Sequence, residues 1–170
     1  MQPASSFSPI TPQQSTIFVI GEILPNDDVK FRAVATPVNA TVVLDSPGGD
    51  VSAGINIGEH IQRKQYETVA SNICTSACAL IWLSGKTTSR FSNASIGFHA
   101  AGWADTGIAS GLWSAMEGAY LTRLGFSYSA IRFFTETPPN RLQWLTPERA
   151  RQFGITIHVY SAPPRPVLGY

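Results

Sequence analysis

Apolar runs that stop at turn residues predict the strands of a sheet. TIFVIGEI (16–23) and ATVVLD (40–45) are β-branched and apolar, and they stop at the turns LPNDD and SPGG. Three further runs also predict strands: ETVASNI (67–73), ASIGFHA (94–100) and ITIHVY (155–160). The chain is therefore expected to contain a sheet of at least five strands.

Apolar residues at helical spacing predict helices between these strands. After SPGG the apolar residues fall at Val51, Ile55, Ile57 and Ile61. This pattern is amphipathic, and Asp50 is favourable at the positive end of such a helix. SACALIWLSG (76–85) is apolar on every side, which predicts a helix buried in the core and closed by Gly85. Further helices are predicted over 28–38, 112–124, 127–136 and 146–155.

Strands that alternate with helices need crossover connections, so the predicted fold class is α/β with a largely parallel sheet. In such sheets chemistry gathers beyond the carboxyl ends of the strands. Three features of the sequence fall at strand ends: the SPGG turn, Ser76 with its flanking cysteines, and His99. Their common position is the strongest structural reason to expect a functional site there.

Length and composition set the organisation of the chain. With 170 residues, 44% of them apolar, we expect one domain with a real core, at residues 15–160. Residues 1–14 predict a disordered arm and residues 161–170 a Pro-rich tail. A net charge of +1 without a basic run indicates neither nucleic acid nor an anionic membrane surface as partner. No apolar run is long enough to span a bilayer, and we expect no metal and no cofactor.

The start of the chain leaves two compartments open. MQPASSFSPITPQQ has neither the basic nor the apolar segment of a secretory signal. The protein is therefore expected in the cytoplasm if Met1 is the native start, and in the periplasm if a leader was removed. Two cysteines allow one bridge or two free thiols, so they do not decide between these compartments.

Ser76 lies where a strand passes into a helix, which predicts either a nucleophile or a simple helix cap. A helix N-terminus leaves N–H groups unpaired, so the Ala77 N–H is expected near the Ser76 hydroxyl as half of an oxyanion hole. The other half is expected from Gly48 or Gly49, whose N–H groups no side chain covers. A serine nucleophile needs a base, and His99 ends a predicted core strand. Each residue alone is most simply structural, but together they predict a hydrolytic site.

Cys74 and Cys78 flank Ser76, two residues to either side, so the reactive atom is either oxygen or sulfur. Residues two apart on a helix face different directions, which favours the Ser76 hydroxyl over the Cys78 thiol. Residues four apart in a helical turn lie within the Cα range of a disulfide. We therefore expect Ser76 to react, and the cysteines to be candidates for a bridge that holds the Ala77 N–H in place.

Four segments resemble the Clp protease proteolytic subunit. VVLDSPGGDVSAGINIGEHI resembles its oxyanion segment, SACALIWLSG its nucleophile helix, SRFSNASIGFHAA its histidine segment and LTPERARQFGI the helix near its end. The C-x-S-A-C motif resembles a bacterial, periplasmic-type branch of these proteins. The resemblance implies a Clp/crotonase-like superfold, with repeated strand-strand-helix units, and a serine peptidase activity. By position it implies Ser76 as nucleophile, His99 as general base, and Gly48 and Ala77 as oxyanion donors.

The acidic member of the family's triad is absent from its expected position. It should precede the helix cap, here Thr146, by four residues, but that residue is Leu142. Asn140 is the predicted replacement, because an amide oxygen can accept a hydrogen bond from an imidazole. Glu136 and Asp105 are the alternatives.

Three functions are compatible with these residues. The resemblance favours a serine endopeptidase that acts on peptides or unfolded proteins as a homo-oligomer, and no segment indicates how an unfoldase ATPase would dock. A catalytically weak or dead scaffold is the second, because the triad acid is missing. A crotonase-like acyl-CoA enzyme is the third, although it normally uses a carboxylate and needs a CoA-phosphate site, for which the sequence shows no basic cluster.

Overall fold

The computed structural model describes residues 15–103 and 105–161. The strands are β1 (Ser15–Ile20), β2 (Ala40–Ser46), β3 (Glu67–Thr75), β4 (Thr88–Phe91), β5 (Ser95–Phe98), β6 (Gly102–Trp103), β7 (Ile108–Ala109), β8 (Gln143–Trp144) and β9 (Ile157–Tyr160). The helices are α1 (Asp27–Val34), α2 (Val51–Lys64), α3 (Ala77–Leu83), α4 (Gly111–Arg123), α5 (Tyr128–Thr135) and α6 (Pro147–Gln152).

One mostly parallel sheet forms the centre of the described structure. Five strands lie in the order β1-β2-β3-β4-β9, and each neighbouring pair is parallel. β5 also pairs in parallel with β3, and the short β8 pairs antiparallel with β5. β6 and β7 form a separate hairpin after β5. The predicted α/β class with a largely parallel sheet is confirmed.

β3 changes partner halfway along its length, and this change positions the site. Its residues 68–70 pair with β4, whereas its residues 73–75 pair with β5. The register with β2 shifts between Leu44 and Ser46, and the Asp45 carboxylate accepts a hydrogen bond from the Ile73 N–H at 3.3 Å. Because the end of β3 runs beside the end of β5, the residues that follow both strands emerge at the same edge of the sheet.

α2 and α3 have the predicted characters, amphipathic and wholly buried. The apolar positions of α2 face the core, and all seven residues of α3 are buried. The Asp50 side chain caps α2 by accepting a hydrogen bond from the Ala53 N–H. A Cβ at Gly54 would come within 2.9 Å of the Ala77 Cβ, so α2 approaches the first residue of α3 closely because position 54 is glycine.

Gly85 follows α3 for a different reason from the one predicted. It is absent from the residues with a left-handed backbone, and the helix ends at Ser84 in an ordinary helical conformation. A Cβ at position 85 would lie 2.9 Å from the Thr68 Cγ2 atom and from the Thr87 carbonyl oxygen. The glycine therefore permits close packing against β3 and does not serve as a left-handed cap.

The ends of the chain bear two predictions that the structure does not address. The predicted arm, residues 1–14, and residues 162–170 of the predicted tail lie outside the described residues. Across the described residues, no helix combines the length and the apolar character needed to cross a bilayer.

Candidate active site

Ser76 has a strained backbone at the junction of β3 and α3. Its φ of 57° and ψ of −127° fall outside the conformations that most non-glycine residues adopt, at a cost on the order of 1–3 kcal/mol. The simple helix-cap interpretation does not describe it, because its side chain makes no capping hydrogen bond. Its N–H is held by the Gly97 carbonyl at 3.0 Å. The half-buried Ser76 hydroxyl is therefore left without a structural partner among the described residues.

The SPGG turn lies directly against Ser76. A Cβ on Gly48 would come 2.6 Å from the Ser76 Cβ, 2.7 Å from the Thr75 carbonyl oxygen and 3.0 Å from the Ala77 nitrogen. Gly48 also has a φ of +98°, which is strained for any residue with a side chain. The Thr75 hydroxyl donates to the Pro47 carbonyl at 2.9 Å and fastens the turn to the end of β3. The structure thus brings Gly48, Ser76 and Ala77 together.

Two backbone N–H groups beside Ser76 differ in their availability. Ala77 is the first residue of α3, where an N–H has no partner within the helix. The Gly48 N–H donates to the buried Ser46 hydroxyl at 3.1 Å. The Gly49 N–H has no such acceptor among the described residues, although Gly49 pairs with Ile23 as an isolated bridge. Both glycines therefore stay open as the second oxyanion donor.

His99 follows β5 immediately, at the edge of the sheet where Ser76 follows β3. Thr75 pairs with Gly97 across the two strands. Ser76 is therefore level with the residue that precedes His99. The His99 Nδ1 atom lies 2.7 Å from the Ala100 carbonyl oxygen. Because a carbonyl only accepts hydrogen bonds, this contact requires a proton on Nδ1 and leaves Nε2 as the basic nitrogen. The ring is half-buried.

The three predicted orienting residues have other contacts in this structure. The exposed Asn140 side chain lies against Gly107, where a Cβ would come 2.7 Å from the Asn140 Nδ2 atom. The Glu136 carboxylate pairs with Arg132 at 2.8 Å. The Asp105 carboxylate accepts the N–H of the next residue at 2.9 Å. No hydrogen bond joins any of them to His99 among the described residues.

Cys74 and Cys78, two residues before and two residues after Ser76, are joined by a disulfide. Their Cα atoms are 5.2 Å apart, and both residues are fully buried. The bridge connects the end of β3 to the second residue of α3. Neither sulfur is therefore a free thiol in this structure. The Ser76 hydroxyl, by contrast, is a free group among the described residues.

The sequence analysis did not identify Glu117, a buried carboxyl group on α4 near the His99 segment. Its side chain accepts a hydrogen bond from the Ala101 N–H at 3.0 Å. Burial raises the pKa of Glu117 to about 7, although the Ala101 hydrogen bond acts in the opposite direction. The available signal was an isolated acidic residue in α4 with Trp113 and Leu121 four residues to either side, because these neighbours mark an inward face.

α4 contacts the nucleophile segment as well. The buried Tyr120 hydroxyl donates to the Leu80 carbonyl of α3 at 3.0 Å. α4 is therefore hydrogen-bonded both to the helix that follows Ser76 and to the loop that follows His99.

Two tryptophans border the site on the side of β5 and the hairpin. The half-exposed Trp144 ring on β8 covers Gly97, where a Cβ would come 2.9 Å from the ring. Trp103 on the β6–β7 hairpin packs against Trp113, with ring centroids 5.0 Å apart. Trp144 therefore packs on the strand that leads to His99, and Trp103 packs on α4. A cavity of about 400 Å³ lies elsewhere, at the far end of α3 from Ser76 and beside Leu83.

The arrangement combines a free hydroxyl, an imidazole with a basic Nε2 and a helix N-terminus. These groups are of the kinds that nucleophilic attack on a carbonyl uses, in which a helix N–H can stabilise the negative charge that develops. In the described part of the chain, no group of His, Cys, Asp or Glu side chains is arranged to hold a metal ion.

Comparison with known proteins places this geometry in context. A family model described as Clp protease matches residues 33–162, which is most of the chain. A search of curated proteins found no match.

Solved structures of proteases share the fold. The ClpP protease catalytic domain from Plasmodium falciparum has a TM-score of 0.65 and 17% sequence identity, covering 89% of each chain. ClpP1 from Listeria monocytogenes has a TM-score of 0.63 and 20% identity, covering 87% of this chain and 92% of that one. A variant of the 1510-N membrane-bound stomatin-specific protease has a TM-score of 0.63 and 21% identity, covering 88% and 81%. The predicted Clp-type fold is confirmed.

Proposed function

The chain belongs to the Clp protease family, and on that premise we propose that it is a serine peptidase with the Ser76 hydroxyl as nucleophile. The observation that carries this proposal is the strained Ser76 backbone, at the edge of the sheet where His99 follows β5, with a hydroxyl that makes no cap hydrogen bond. Strain of this kind persists where the surrounding structure enforces it, and it concentrates at active sites. A serine that only capped α3 would need no such conformation.

Acylation follows from the positions of these groups. His99 Nε2 takes the proton from the Ser76 hydroxyl as the Oγ atom forms a bond to the peptide carbonyl carbon. The carbonyl oxygen becomes negatively charged and is stabilised by the Ala77 N–H. The carbon–nitrogen bond then breaks, and His99 returns its proton to the leaving amine. Water repeats the sequence on the acyl-enzyme and regenerates the serine.

The SPGG turn supplies the second oxyanion donor in this proposal. The Gly48 N–H is the donor that the family pattern indicates, and the close approach of Gly48 to Ser76 and Ala77 supports that role. A developing oxyanion would share the Gly48 N–H with the Ser46 hydroxyl, which accepts from it at 3.1 Å. The uncommitted Gly49 N–H is the alternative donor from the same turn.

Fluorophosphonate labelling tests the nucleophile directly. We expect the reagent to modify Ser76, and Ser76→Ala to abolish both labelling and peptide hydrolysis, because the Oγ atom is the group that forms the covalent bond. Ser95→Ala is the matched control, since Ser95 is an exposed serine on the neighbouring strand β5. Mass spectrometry of the labelled peptide and a fluorogenic peptide assay provide the measurements.

Three outcomes of this experiment would contradict the proposal. Activity that survives Ser76→Ala but disappears in Cys74→Ser would assign the nucleophile to sulfur. Absence of labelling in the folded wild-type protein would favour the catalytically dead scaffold. Labelling without hydrolysis of any peptide, but with turnover of an acyl-CoA thioester, would favour the crotonase-like enzyme.

Self-association is the second part of the proposal. β1 is an edge strand with Phe18 64% exposed and Ile20 70% exposed, and Val34 on α1 is also exposed. We call these three residues the β1–α1 patch. Contiguous exposed apolar side chains mark surfaces that another protein covers. A second copy of this chain is the occupant that family membership supports, and substrates would be peptides or unfolded chains.

A further inference from the structure

Glu117 is a buried carboxyl group for which the proposed mechanism has no use. Its side chain is 4% exposed, and its hydrogen-bond donor is the Ala101 N–H at 3.0 Å. Carboxyl groups are seldom buried this completely, because loss of hydration disfavours the charged form. A structural role for one backbone hydrogen bond could be filled by a neutral side chain at less cost.

The donor of Glu117 and the acceptor of His99 belong to the same peptide group. The Ala100 carbonyl oxygen accepts from the His99 Nδ1 atom at 2.7 Å, and the N–H on the other side of that peptide bond is the Ala101 N–H. A trans peptide directs its carbonyl and its N–H in opposite directions, and the described chain contains no cis peptide bond. Glu117, the peptide and His99 therefore form one continuous line of hydrogen bonds.

The remaining polar groups of this peptide's two residues are also fixed. The Ala100 N–H donates to the Thr137 carbonyl at 2.7 Å, and the Ala101 carbonyl accepts from the Ser110 N–H at 2.8 Å. Both alanines are buried. The peptide between His99 and Glu117 is therefore held rigidly, which lets it transmit the effect of a charge at one end to an acceptor at the other.

We propose that Glu117 is a positioning residue for His99. The Glu117 carboxylate polarises the Ala100–Ala101 peptide and so strengthens the Ala100 carbonyl as the acceptor for the His99 Nδ1 proton. This inference rests on the proposed function, in which His99 becomes positively charged during acylation. A negative charge at the far end of a hydrogen-bonded chain strengthens every bond in it. The peptide would thus convey to the imidazolium part of the stabilisation that a buried aspartate gives in a triad.

Burial determines when this charge is present. Because burial raises the pKa of Glu117 to about 7, neutral and charged forms coexist near neutral pH. The low dielectric that disfavours the charge also lets it act strongly over the length of one peptide. The carboxylate form, which dominates above pH 7, is the one that polarises the peptide.

Glu117→Gln separates the charge from the shape of the side chain. The glutamine amide oxygen can still accept from the Ala101 N–H, so the loop keeps its hydrogen bond. We expect kcat at pH 8 to fall about tenfold with KM unchanged, because direct replacement of a triad aspartate by asparagine costs roughly 10⁴ and a peptide intervenes here. Glu148→Gln is the control, since it removes an exposed carboxylate on α6 and should leave kcat unaltered.

Melting temperature separates this effect from loss of structure. The raised pKa of Glu117 means that the folded protein binds its proton more tightly than the unfolded chain does. The contribution of Glu117 to stability is therefore fully present below its ordinary pKa of 4.5 and is lost as pH rises through about 7. Glutamine carries no such cost, so Glu117→Gln should melt no lower than the wild type at pH 8 while it hydrolyses more slowly.

A proton resonance tests the same line of hydrogen bonds without any substrate. The His99 Nδ1 proton should move upfield in Glu117→Gln, because its acceptor has become weaker, and should stay in place in Glu148→Gln. Unchanged kcat together with an unmoved resonance would overturn the inference. If the wild type neither labels with fluorophosphonate nor hydrolyses peptides, the proposed function fails, and the resonance alone then supports or overturns the role of Glu117.

Discussion

The surroundings of Ser76 explain how this serine can hold a costly backbone conformation. Its N–H is bonded to Gly97 across the sheet, and the absence of a side chain at Gly48 leaves room for its Cβ. The next residue, Ala77, is buried, so the packing around it holds the backbone at Ser76 in this conformation. At about 1–3 kcal/mol, the cost is small beside what the surrounding core contributes. A larger side chain at position 48 would disturb the serine and the neighbouring N–H together.

The contacts of single side chains also lead to a prediction about Asn140. Because the His99 Nδ1 atom meets the Ala100 carbonyl, while Asn140 lies against Gly107, we expect Asn140→Ala and Asn140→Asp to hydrolyse an activated ester at close to the wild-type rate. Steady-state kinetics of the three proteins on one ester provides the measurement. A markedly lower rate for Asn140→Ala, with a higher one for Asn140→Asp, would instead make Asn140 the residue that orients His99.

Some residues of the candidate site could be predicted from sequence and others could not. Ser76 and His99 could be predicted as candidates because both follow apolar strands of a parallel sheet, where side chains converge. The Ala100 carbonyl carries no sequence signal, since every residue has one. Glu117 was missed because a single glutamate in a helix is normally solvated, and the apolar residues four positions to either side are a weak signal beside the packing of α4.

At the scale of elements, the strands that could be predicted carry an apolar run of their own, as even the four-residue β5 and β9 do. β1, β2 and β3 are runs of at least six residues with their own apolar pattern, and α2 and α3 carry clear periodicity. β4, β8 and the β6–β7 hairpin span only two to four residues. These strands form because a neighbour pairs with them, and their sequences show no apolar period that could identify them.

The junction of β3 and α3 leads to a prediction about redox state. The Cys74–Cys78 bridge closes a loop of only a few residues, so its entropic stabilisation should fall below the roughly 3 kcal/mol of a fifteen-residue loop. Its main effect should be to hold Ser76 and the Ala77 N–H in place. We therefore expect reduction, or the Cys74→Ser/Cys78→Ser double variant, to slow fluorophosphonate labelling severalfold while the melting temperature changes little.

Thiol titration under denaturing conditions, in protein purified without reductant, measures whether the bridge is present. Labelling rates before and after reduction then measure its effect, and the double variant shows whether the reductant acts on this bridge alone. Two freely titrating thiols, together with a labelling rate that oxidation does not increase, would contradict the prediction.

At the scale of the whole molecule, the two edges of the sheet are not equivalent. The side chains of the β1–α1 patch are apolar, exposed and border one groove, which suits burial against a second copy of the chain. We expect the protein to scatter light as a multimer, and Ile20→Asp to dissociate it, because a desolvated carboxylate in the contact is costly. Val159→Asp, at an exposed position on the opposite edge strand β9, is the control. A monomeric wild type, or dissociation by both variants alike, would contradict this use of the patch.

α4 has a consequence for how the molecule fluctuates. Through Tyr120 it is tied to the helix after Ser76, and through Glu117 to the loop after His99. Proteins open in cooperative units of unequal stability, and these two ties place both halves of the site in one such unit. A fluctuation that moves α4 away from the core would break both hydrogen bonds at once. The segments of Ser76 and His99 would then loosen together, while the parallel sheet stays intact. The arrangement proposed for catalysis therefore depends on a docked α4, and any molecule that binds against α4 would shift the balance between the docked and the displaced forms.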